Sequence, residues 1–269
     1  MRGRFSATVN RLDLELLLCH ILEISRSYLL AHPEHILSTQ QLSQFKVLLS
    51  RREQGEPLAY LVGRKAFWSF ELQVTPATLI PRPETELLVE QALARLPLHT
   101  PSQVADLGTG SGAIALALAL ERPQCQVLAT DINPDTLAVA QYNAKQLNIN
   151  NVNFLQSDWL TASDNRRVNL IVSNPPYIAE NDRHLQGDGV RYEPSQALVS
   201  GIDGLDAIRH LVANAPNYLV NEGWLLLEHG YEQGEVVSQL FKKHGYTAIT
   251  TYRDLAGQSR VTVGRVKSI

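Results

Sequence analysis

The chain has 269 residues, of which 44% are hydrophobic and 19% are charged, so it is expected to fold into a globular core and is not a disordered chain. Its formal net charge of -3 argues against a general nucleic-acid binder, because lysine and arginine drive binding to phosphate backbones. Cys19 and Cys125 are too isolated in sequence for a disulfide framework or a zinc site, so we expect no metal. No segment resembles a signal peptide or approaches roughly 18 consecutive apolar residues, which predicts a cytoplasmic protein.

The amino-terminal part of the chain predicts a small helical domain. Between residues 11 and 54, apolar residues recur at helical spacing, and Ser38 and Thr39 are candidate helix caps. From Gly55 the pattern changes to closely spaced aromatic residues, which suggests a β-hairpin. We therefore expect a helical domain at residues 1–54, a hairpin linker at 55–80 and a larger domain at 81–269.

The larger domain alternates strand-like and helix-like segments. Helices are predicted at 84–96, 113–120, 135–147, 205–219 and 235–244. Strands are predicted at 104–107, 126–130, 152–155, 170–173, 224–227, 247–252 and 259–266. This alternation predicts an α/β fold with a parallel sheet covered by helices on both faces. The last two strands, joined by a short turn, predict an antiparallel edge.

A glycine-rich turn follows the first strand of this sheet and leads directly into a helix. It reads Asp106, Leu107, Gly108, Thr109, Gly110, Ser111, Gly112. Glycines let a ligand approach the backbone closely, and the amino terminus of the helix favours a negative group. Asp131 ends the second strand, roughly 20 residues later, where a carboxylate can accept hydrogen bonds from both hydroxyls of a ribose. These features alone fit either a nicotinamide dinucleotide or S-adenosylmethionine.

The fourth strand ends at Asn174-Pro175-Pro176-Tyr177. Two prolines fix the backbone and remove two N–H donors, which leaves carbonyl acceptors in a rigid frame. The Asn174 side-chain oxygen and the Pro175 carbonyl together match the two protons of a planar NH2 group. Tyr177 would stack on that group. The pattern predicts a site that turns a substrate nitrogen toward a bound cofactor.

The glycine turn with Asp106, together with Ser157-Asp158-Trp159 after the third strand, resembles the class I methyltransferases. This resemblance implies S-adenosylmethionine as cofactor, S-adenosylhomocysteine as product, and a Rossmann-like, mostly parallel seven-stranded sheet. Asp106 would lie near the amino acid end of the cofactor, Asp158 would bind the adenine amino group and Trp159 would pack on the ring. The implied cofactor-binding residues are Asp106, Gly108, Thr109, Gly110, Ser111, Gly112, Asp131, Asp158, Trp159 and Asn174.

Nearly the whole chain resembles the HemK/PrmC family of peptide chain release factor glutamine methyltransferases. The residues that carry this resemblance are 63–68, 80–86, the glycine turn, 174–177 and 190–194. The family methylates the glutamine of a Gly-Gly-Gln motif in class I release factors, which implies a release factor as partner, a helical domain that grips it, and a monomer. By the same resemblance Asn174, Pro175 and Tyr177 are catalytic, and Pro176 and Arg82 join them in binding substrate, with residues 80–86 covering the site.

Other interpretations remain open at this point. A related glutamine methyltransferase acts on a ribosomal protein, and the Asn-Pro-Pro-Tyr motif also occurs in DNA adenine methyltransferases. A DNA enzyme usually carries a basic target-recognition region, and nothing of that size is present. A sheet without activity, serving a partner-binding helical domain, is the non-enzymatic alternative. Arg82 also fits a surface position at the start of a helix, and Arg191 and Glu193 fit a structural ion pair.

Overall fold

The structure is a computed structural model that describes residues 9–159, 161, 167–187 and 189–267. The first eight and last two residues, and with them the outer ends of the predicted domains, lie outside the described residues. The α-helices of the described chain are α1 (Arg11–Leu22), α2 (Arg26–Ala31), α3 (Thr39–Glu53), α4 (Leu58–Val62), α5 (Thr85–Leu93), α6 (Ala113–Glu121), α7 (Pro134–Gln146), α8 (Asp206–Asn214) and α9 (Gly234–Lys243). The strands are β1 (Arg64–Phe67), β2 (Phe70–Gln73), β3 (Gln103–Leu107), β4 (Gln126–Asp131), β5 (Val152–Gln156), β6 (Val168–Ser173), β7 (Leu219–Glu228), β8 (Thr247–Arg253) and β9 (Ser259–Arg265).

Seven of these strands form one sheet in the order β5-β4-β3-β6-β7-β9-β8, counted over the described residues. Strands β3 to β7 run parallel, whereas β9 runs antiparallel to both β7 and β8. The predicted parallel sheet with an antiparallel edge is therefore confirmed. Because the order reverses between β3 and β6, the carboxyl ends of β3, β4 and β6 border the crevice where such sheets bind ligands.

Helices cover both faces of the sheet, which explains why its central strands are apolar on both sides. Helix α6 is an almost continuous run of alanine and leucine, and seven of its residues, Ala113 through Ala119, are buried. It packs on β3, β4 and β5 beside α5, which packs on β6, β7 and β9, and its residues belong to one core cluster. On the other face, Ile208 of α8 and Phe241 of α9 are fully buried. The two cores hold the strand ends in fixed register.

Two helix predictions in this domain need correction. The predicted helix 205–219 ends as α8 at Asn214 and continues as a 3₁₀ turn, Ala215–Asn217, because Pro216 cannot continue an α-helical hydrogen-bond ladder. The predicted helix 84–96 is shorter, and α5 ends at Leu93. Strand β7 begins at Leu219, five residues before the predicted start at 224, and its pairing with β6 contains an irregularity between Val168 and Leu170.

The amino-terminal helices form the small helical unit that the periodicity predicts. Ser38 caps α3 and forms a reciprocal capping box with Gln41, whereas Thr39 is the first helical residue and not a cap. The short helix α2 was not predicted as a separate element. A hydrogen-bonded ion pair, Arg52 Nε to Asp13 Oδ2 at 2.9 Å, joins α3 to α1.

The predicted hairpin is present as β1 and β2, preceded by the unpredicted one-turn helix α4. It packs against the sheet domain, and Phe67 and Leu72 are buried in the same core cluster as α6. Trp68 at its tip donates a backbone N–H to Glu86 Oε1 at 2.9 Å and its indole N–H to Glu121 Oε1 at 2.8 Å. These contacts tie the hairpin to α5 and to the end of α6. Across the part of the chain that the structure describes, every helix is too short or too polar to cross a bilayer.

Candidate active site

The glycine turn between β3 and α6 adopts a backbone that requires glycine. Gly108, Gly110 and Gly112 have φ angles of 70°, 58° and 87°, in the left-handed region that other residues rarely occupy. A Cβ at Gly112 would lie 3.0 Å from Leu116 Cδ1, while a Cβ at Gly110 would meet no atom within 4 Å. The turn is therefore closely packed at its helix end and open at Gly110, where it faces a cavity.

Asp131 stands at the end of β4 and is tied to this turn. Its Oδ2 accepts the Gly110 N–H at 3.1 Å, and its Oδ1 accepts the Asn133 N–H at 3.0 Å. Burial raises the pKa of Asp131, while the two backbone hydrogen bonds oppose that change. The carboxylate is held in a fixed orientation in the wall of the cavity.

Asp106 lies in the interior next to the same turn. Its Oδ2 accepts the Thr109 hydroxyl at 2.7 Å and the Ala115 N–H at 3.1 Å. Its Oδ1, like the Ser111 hydroxyl oxygen, has no hydrogen-bond partner among the described residues. Complete burial raises the pKa of Asp106 to about 7. Asp106 therefore supports the glycine turn through one oxygen, while its other oxygen is a buried acceptor that no described residue satisfies.

The cavity has a volume of about 370 Å³, within the range of small-molecule sites. Three sequence-predicted groups meet in its wall: the glycine turn with Asp131, the pair Asp158 and Trp159, and the segment 174–176. The wall does not include Asp106, Thr109, Ser111 or Gly112, which shape the turn from inside. The apolar wall, the carboxylates and the open glycine backbone fit the adenosyl and amino acid parts of S-adenosylmethionine.

Trp159 belongs both to this cavity and to the hydrophobic core. Its ring packs against the core cluster of α8 and α9 and lies 6.4 Å from the His210 ring, centre to centre. Asp158 is exposed, and its backbone carbonyl accepts the Thr161 hydroxyl at 2.8 Å. The side chains are thus available to a ligand from the cavity side, and their contacts with adenine stay a prediction.

Asn174 follows β6 and stands between two cavities. It lines the large cavity with Pro175 and Pro176, and it also lines a second cavity of about 110 Å³ with Arg82 and Tyr177. Its Nδ2 donates to Thr85 Oγ1 at 3.3 Å. The predicted Asn174 to Tyr177 motif therefore separates a space of cofactor size from a smaller space on its other side.

Arg82 is held by a buried carboxylate. Its guanidinium donates to Glu193, whose other oxygen accepts the Ile80 N–H at 3.0 Å. The pairing of Arg191 with Glu193 that the sequence also permitted is wrong, because Arg191 donates to the Gln54 carbonyl instead. Arg82 thus fixes residues 80–82 to the segment around Glu193 while lining the second cavity.

Sequence reasoning missed Glu228, at the end of β7 directly beside Asn174. Its side chain is buried, and burial raises its pKa to about 7, against the lowering effect of hydrogen bonds from Thr85 and Tyr177. The Tyr177 hydroxyl lies 3.3 Å from Glu228 Oε1. A carboxylate that ends the apolar run Leu225-Leu226-Leu227 was the available signal, since charged residues are rarely buried without a partner.

Comparison with known proteins agrees with this geometry. Residues 6–63 match the family model of the PrmC N-terminal domain, and residues 83–187 match that of the methyltransferase small domain. The chain is 52% identical over 255 residues to the release factor glutamine methyltransferase of Escherichia coli, covering 95% of this chain and 92% of the relative. It is 50% identical over 257 residues to that of Xylella fastidiosa, covering 96% and 94%.

A solved 16S rRNA methyltransferase of T. thermophilus, in complex with AdoMet and guanosine, shares the fold with a TM-score of 0.56 at 19% identity, covering 76% of this chain and 50% of that one. The sheet order and the site at its reversal define a class I methyltransferase that uses S-adenosylmethionine. Within that class, the chain belongs to the family of release factor glutamine methyltransferases.

Proposed function

We propose that this protein transfers a methyl group from S-adenosylmethionine to the side-chain amide nitrogen of the glutamine in the Gly-Gly-Gln motif of class I release factors. The observation that carries the proposal is the position of Asn174 between a cofactor-sized cavity and a smaller one. The identity of about half of all residues to release factor glutamine methyltransferases, over nearly the full length of both chains, supports the choice of substrate.

On the cofactor side, Gly108, Gly110 and Asp131 hold the ribose and amino acid parts, and Asp158 and Trp159 hold the adenine. Asp106 lies behind the glycine turn on the side of the cofactor's amino acid end, and with Thr109, Ser111 and Gly112 it keeps the turn in shape. When bound, S-adenosylmethionine supplies an electrophilic methyl group next to Asn174.

On the substrate side, the Asn174 Oδ1 and the Pro175 carbonyl each accept a hydrogen bond from one N–H of the glutamine NH2 group. Tyr177 and Arg82 line the smaller space for the side chain, and Pro176, in the wall of the cofactor-sized cavity, completes the substrate-binding set. The amide nitrogen gains a bond to the methyl carbon as that carbon's bond to the cofactor sulfur breaks, which leaves S-adenosylhomocysteine, and the nitrogen loses one proton. Since an alkylated amide nitrogen is strongly acidic, that proton passes to water without a side-chain base. Positioning the amide nitrogen is the main contribution to the rate, because alignment of reacting groups lowers the barrier by up to about 7 to 11 kcal/mol in favourable cases.

Residues 1–54 act as the docking domain, 55–80 as the hairpin linker and 81–269 as the methyltransferase domain. Exposed apolar side chains on the helical unit support docking: Tyr28 and Leu30 on α2, Val47 on α3, and Ile36, which is 88% exposed, between them. Exposed apolar side chains that form a contiguous patch are typical of protein-binding surfaces, whereas single ones are common on any protein. We further propose that the enzyme is a cytoplasmic monomer that binds no nucleic acid directly.

The substrate class is tested by counting transfer from tritiated S-adenosylmethionine. Three substrates are compared at equal concentration: a release factor purified from cells without this methyltransferase, unmethylated ribosomal proteins, and duplex DNA with adenine sites. We expect label in the release factor alone. Label in the ribosomal proteins or in the DNA, with none in the release factor, contradicts the proposed substrate.

A further inference from the structure

Three polar side chains meet where β6 and β7 end. Ser173 pairs with Leu227 in the parallel register, which puts Asn174 and Glu228 next to each other at the carboxyl edge of the sheet. Thr85, the first residue of α5, packs against both. Glu228 is 1% exposed and Thr85 is 3% exposed, so water does not compete for their hydrogen bonds.

The direction of the hydrogen bonds in this group follows from the number of available protons. The Thr85 hydroxyl has one proton, and an ionised Glu228 carboxylate can only accept. Thr85 adjoins Glu228, whose Oε2 has no hydrogen-bond partner among the described residues, so we infer that the one hydroxyl proton is directed to that carboxylate and the hydroxyl oxygen is left as an acceptor. That oxygen receives the Asn174 Nδ2 at 3.3 Å. The Tyr177 hydroxyl donates to the same carboxylate. The carboxamide of Asn174 consequently turns its NH2 inward and its oxygen outward.

A carboxamide needs hydrogen-bond partners to fix its orientation, because its oxygen and its NH2 group have nearly the same shape. Packing alone does not choose between oxygen and NH2, so the choice depends on the hydrogen-bond partners. If the amide were reversed, its NH2 would face the NH2 of the substrate, and two donors would oppose each other. Correct orientation is a condition for the two-acceptor site formed by Asn174 and the Pro175 carbonyl.

We propose that Thr85 and Glu228 are positioning residues that fix the Asn174 carboxamide with its oxygen toward the substrate nitrogen. This proposal rests on the proposed function of Asn174 as an acceptor for the substrate amide. Thr85 and Glu228 act through Asn174 and do not line the large cavity themselves. Glu228 also anchors the Tyr177 hydroxyl, so one buried carboxylate organises both ends of the Asn174 to Tyr177 motif.

The decisive experiment compares Thr85→Val, which removes the hydroxyl at nearly constant volume, with Thr85→Ser, which keeps it. Assays at pH 8 use the full-length protein, an unmethylated release factor and S-adenosylmethionine. For Thr85→Val we expect kcat to fall about tenfold or more, the equivalent of one hydrogen bond, with KM for both substrates within about twofold of wild type. For Thr85→Ser we expect kcat near wild type. Wild-type kcat in Thr85→Val, or no rescue by serine, overturns the proposal.

Two further variants separate positioning from stability. Thr262→Val removes a buried hydroxyl bonded to His229 and Thr251, so we expect lower thermal stability with unchanged kcat. Glu228→Gln can donate as well as accept, so we expect a loss of kcat similar to that of Thr85→Val. In the double variant of Thr85→Val and Glu228→Gln, we expect little further loss, because the two residues act on one group. Fully additive losses contradict the proposal.

Failure of the proposed function gives a different result. If the wild-type protein methylated another NH2 substrate and left the release factor unchanged, the proposed substrate would be wrong. The comparison of Thr85→Val with Thr85→Ser on that other substrate would still decide the positioning role, since any planar NH2 group needs the same Asn174 orientation.

Discussion

At the scale of single residues, the site combines a neutral reacting centre with two buried carboxylates. Asn174 has no charge, which suits an amide substrate that needs acceptors more than a base. Asp106 and Glu228 are both fully buried, and burial raises the pKa of each to about 7. These carboxylates hold neighbouring groups in place: Asp106 the glycine turn, and Glu228 the Tyr177 hydroxyl.

Replacing Asn174 with alanine tests the reacting centre. We expect Asn174→Ala to bind S-adenosylmethionine with nearly wild-type affinity by calorimetry, because the glycine turn and Asp131 are untouched. Transfer should fall at least about tenfold, because one of two acceptors for the substrate NH2 is lost. The control is Asn221→Ala, an exposed asparagine on β7. Near-normal turnover by Asn174→Ala would exclude its role as acceptor.

Asp106 gives the protein a stability that depends on pH. The folded protein keeps the Asp106 proton up to about pH 7, whereas the unfolded chain loses it near 3.8. The stability contributed by this group is fully present below pH 4 and declines as pH rises to 7, by up to about 4 kcal/mol. The asparagine in Asp106→Asn cannot ionise. The free energy of unfolding of this variant, relative to that of wild type, should therefore increase from pH 5 to pH 8.

Urea unfolding without cofactor measures this change at both pH values. Asp135→Asn, which removes an exposed negative charge from the start of α7, controls for the effect of net charge. If the free energy of unfolding of Asp106→Asn differed from that of wild type by the same amount at both pH values, ionisation of Asp106 would not affect stability.

The site residues that the sequence predicted belong to continuous motifs, whereas those it missed depend on long-range register. The glycine turn and the Asn-Pro-Pro-Tyr segment are readable because each carries its own backbone chemistry. Glu228 reaches Asn174 only through the pairing of β6 with β7, and Arg82 meets Glu193 across 111 residues of chain. No local pattern contains those partnerships.

At the scale of elements, the glycine turn is the part that backbone conformation controls most directly. Gly110 and Gly245 both have positive φ angles and open space where a Cβ would lie, but only Gly110 lines the large cavity. Alanine at either position should cost about 1 to 2 kcal/mol of stability. Only Gly110→Ala should weaken S-adenosylmethionine binding, at least about fivefold, or about 1 kcal/mol. Equal affinity of the two variants for the cofactor would show that Gly110 does not face it.

The elements themselves were predictable where their patterns are long. The central strands β3 and β6 follow from apolar runs, because parallel strands inside a sheet are buried on both faces. The short helices α2 and α4 were missed since five or six residues are too few to establish a helical period. Helix α8 ends earlier than its apolar spacing indicates because Pro216 interrupts the backbone hydrogen bonds.

At the scale of the whole molecule, we propose that the helical unit binds the release factor and that methyl transfer takes place at the carboxyl edge of the sheet. Val47 on α3 and Val236 on α9 are both exposed, at 57% and 43%, and serve as a matched pair. We expect Val47→Asp to raise KM for the release factor about tenfold, with kcat and cofactor affinity unchanged, because a charge in an apolar contact weakens docking. Val236→Asp should leave KM unchanged. Equal KM values for the two variants would remove the helical unit from the docking surface.

We propose that the enzyme transfers one methyl group to a glutamine side chain of a release factor. The direct measurement is mass spectrometry of an unmethylated class I release factor after incubation with this protein and S-adenosylmethionine, with fragmentation to locate the added group. We expect a single methyl group on the glutamine of the Gly-Gly-Gln motif. A methyl group at any other residue, or none while the cofactor is bound, would contradict this proposal.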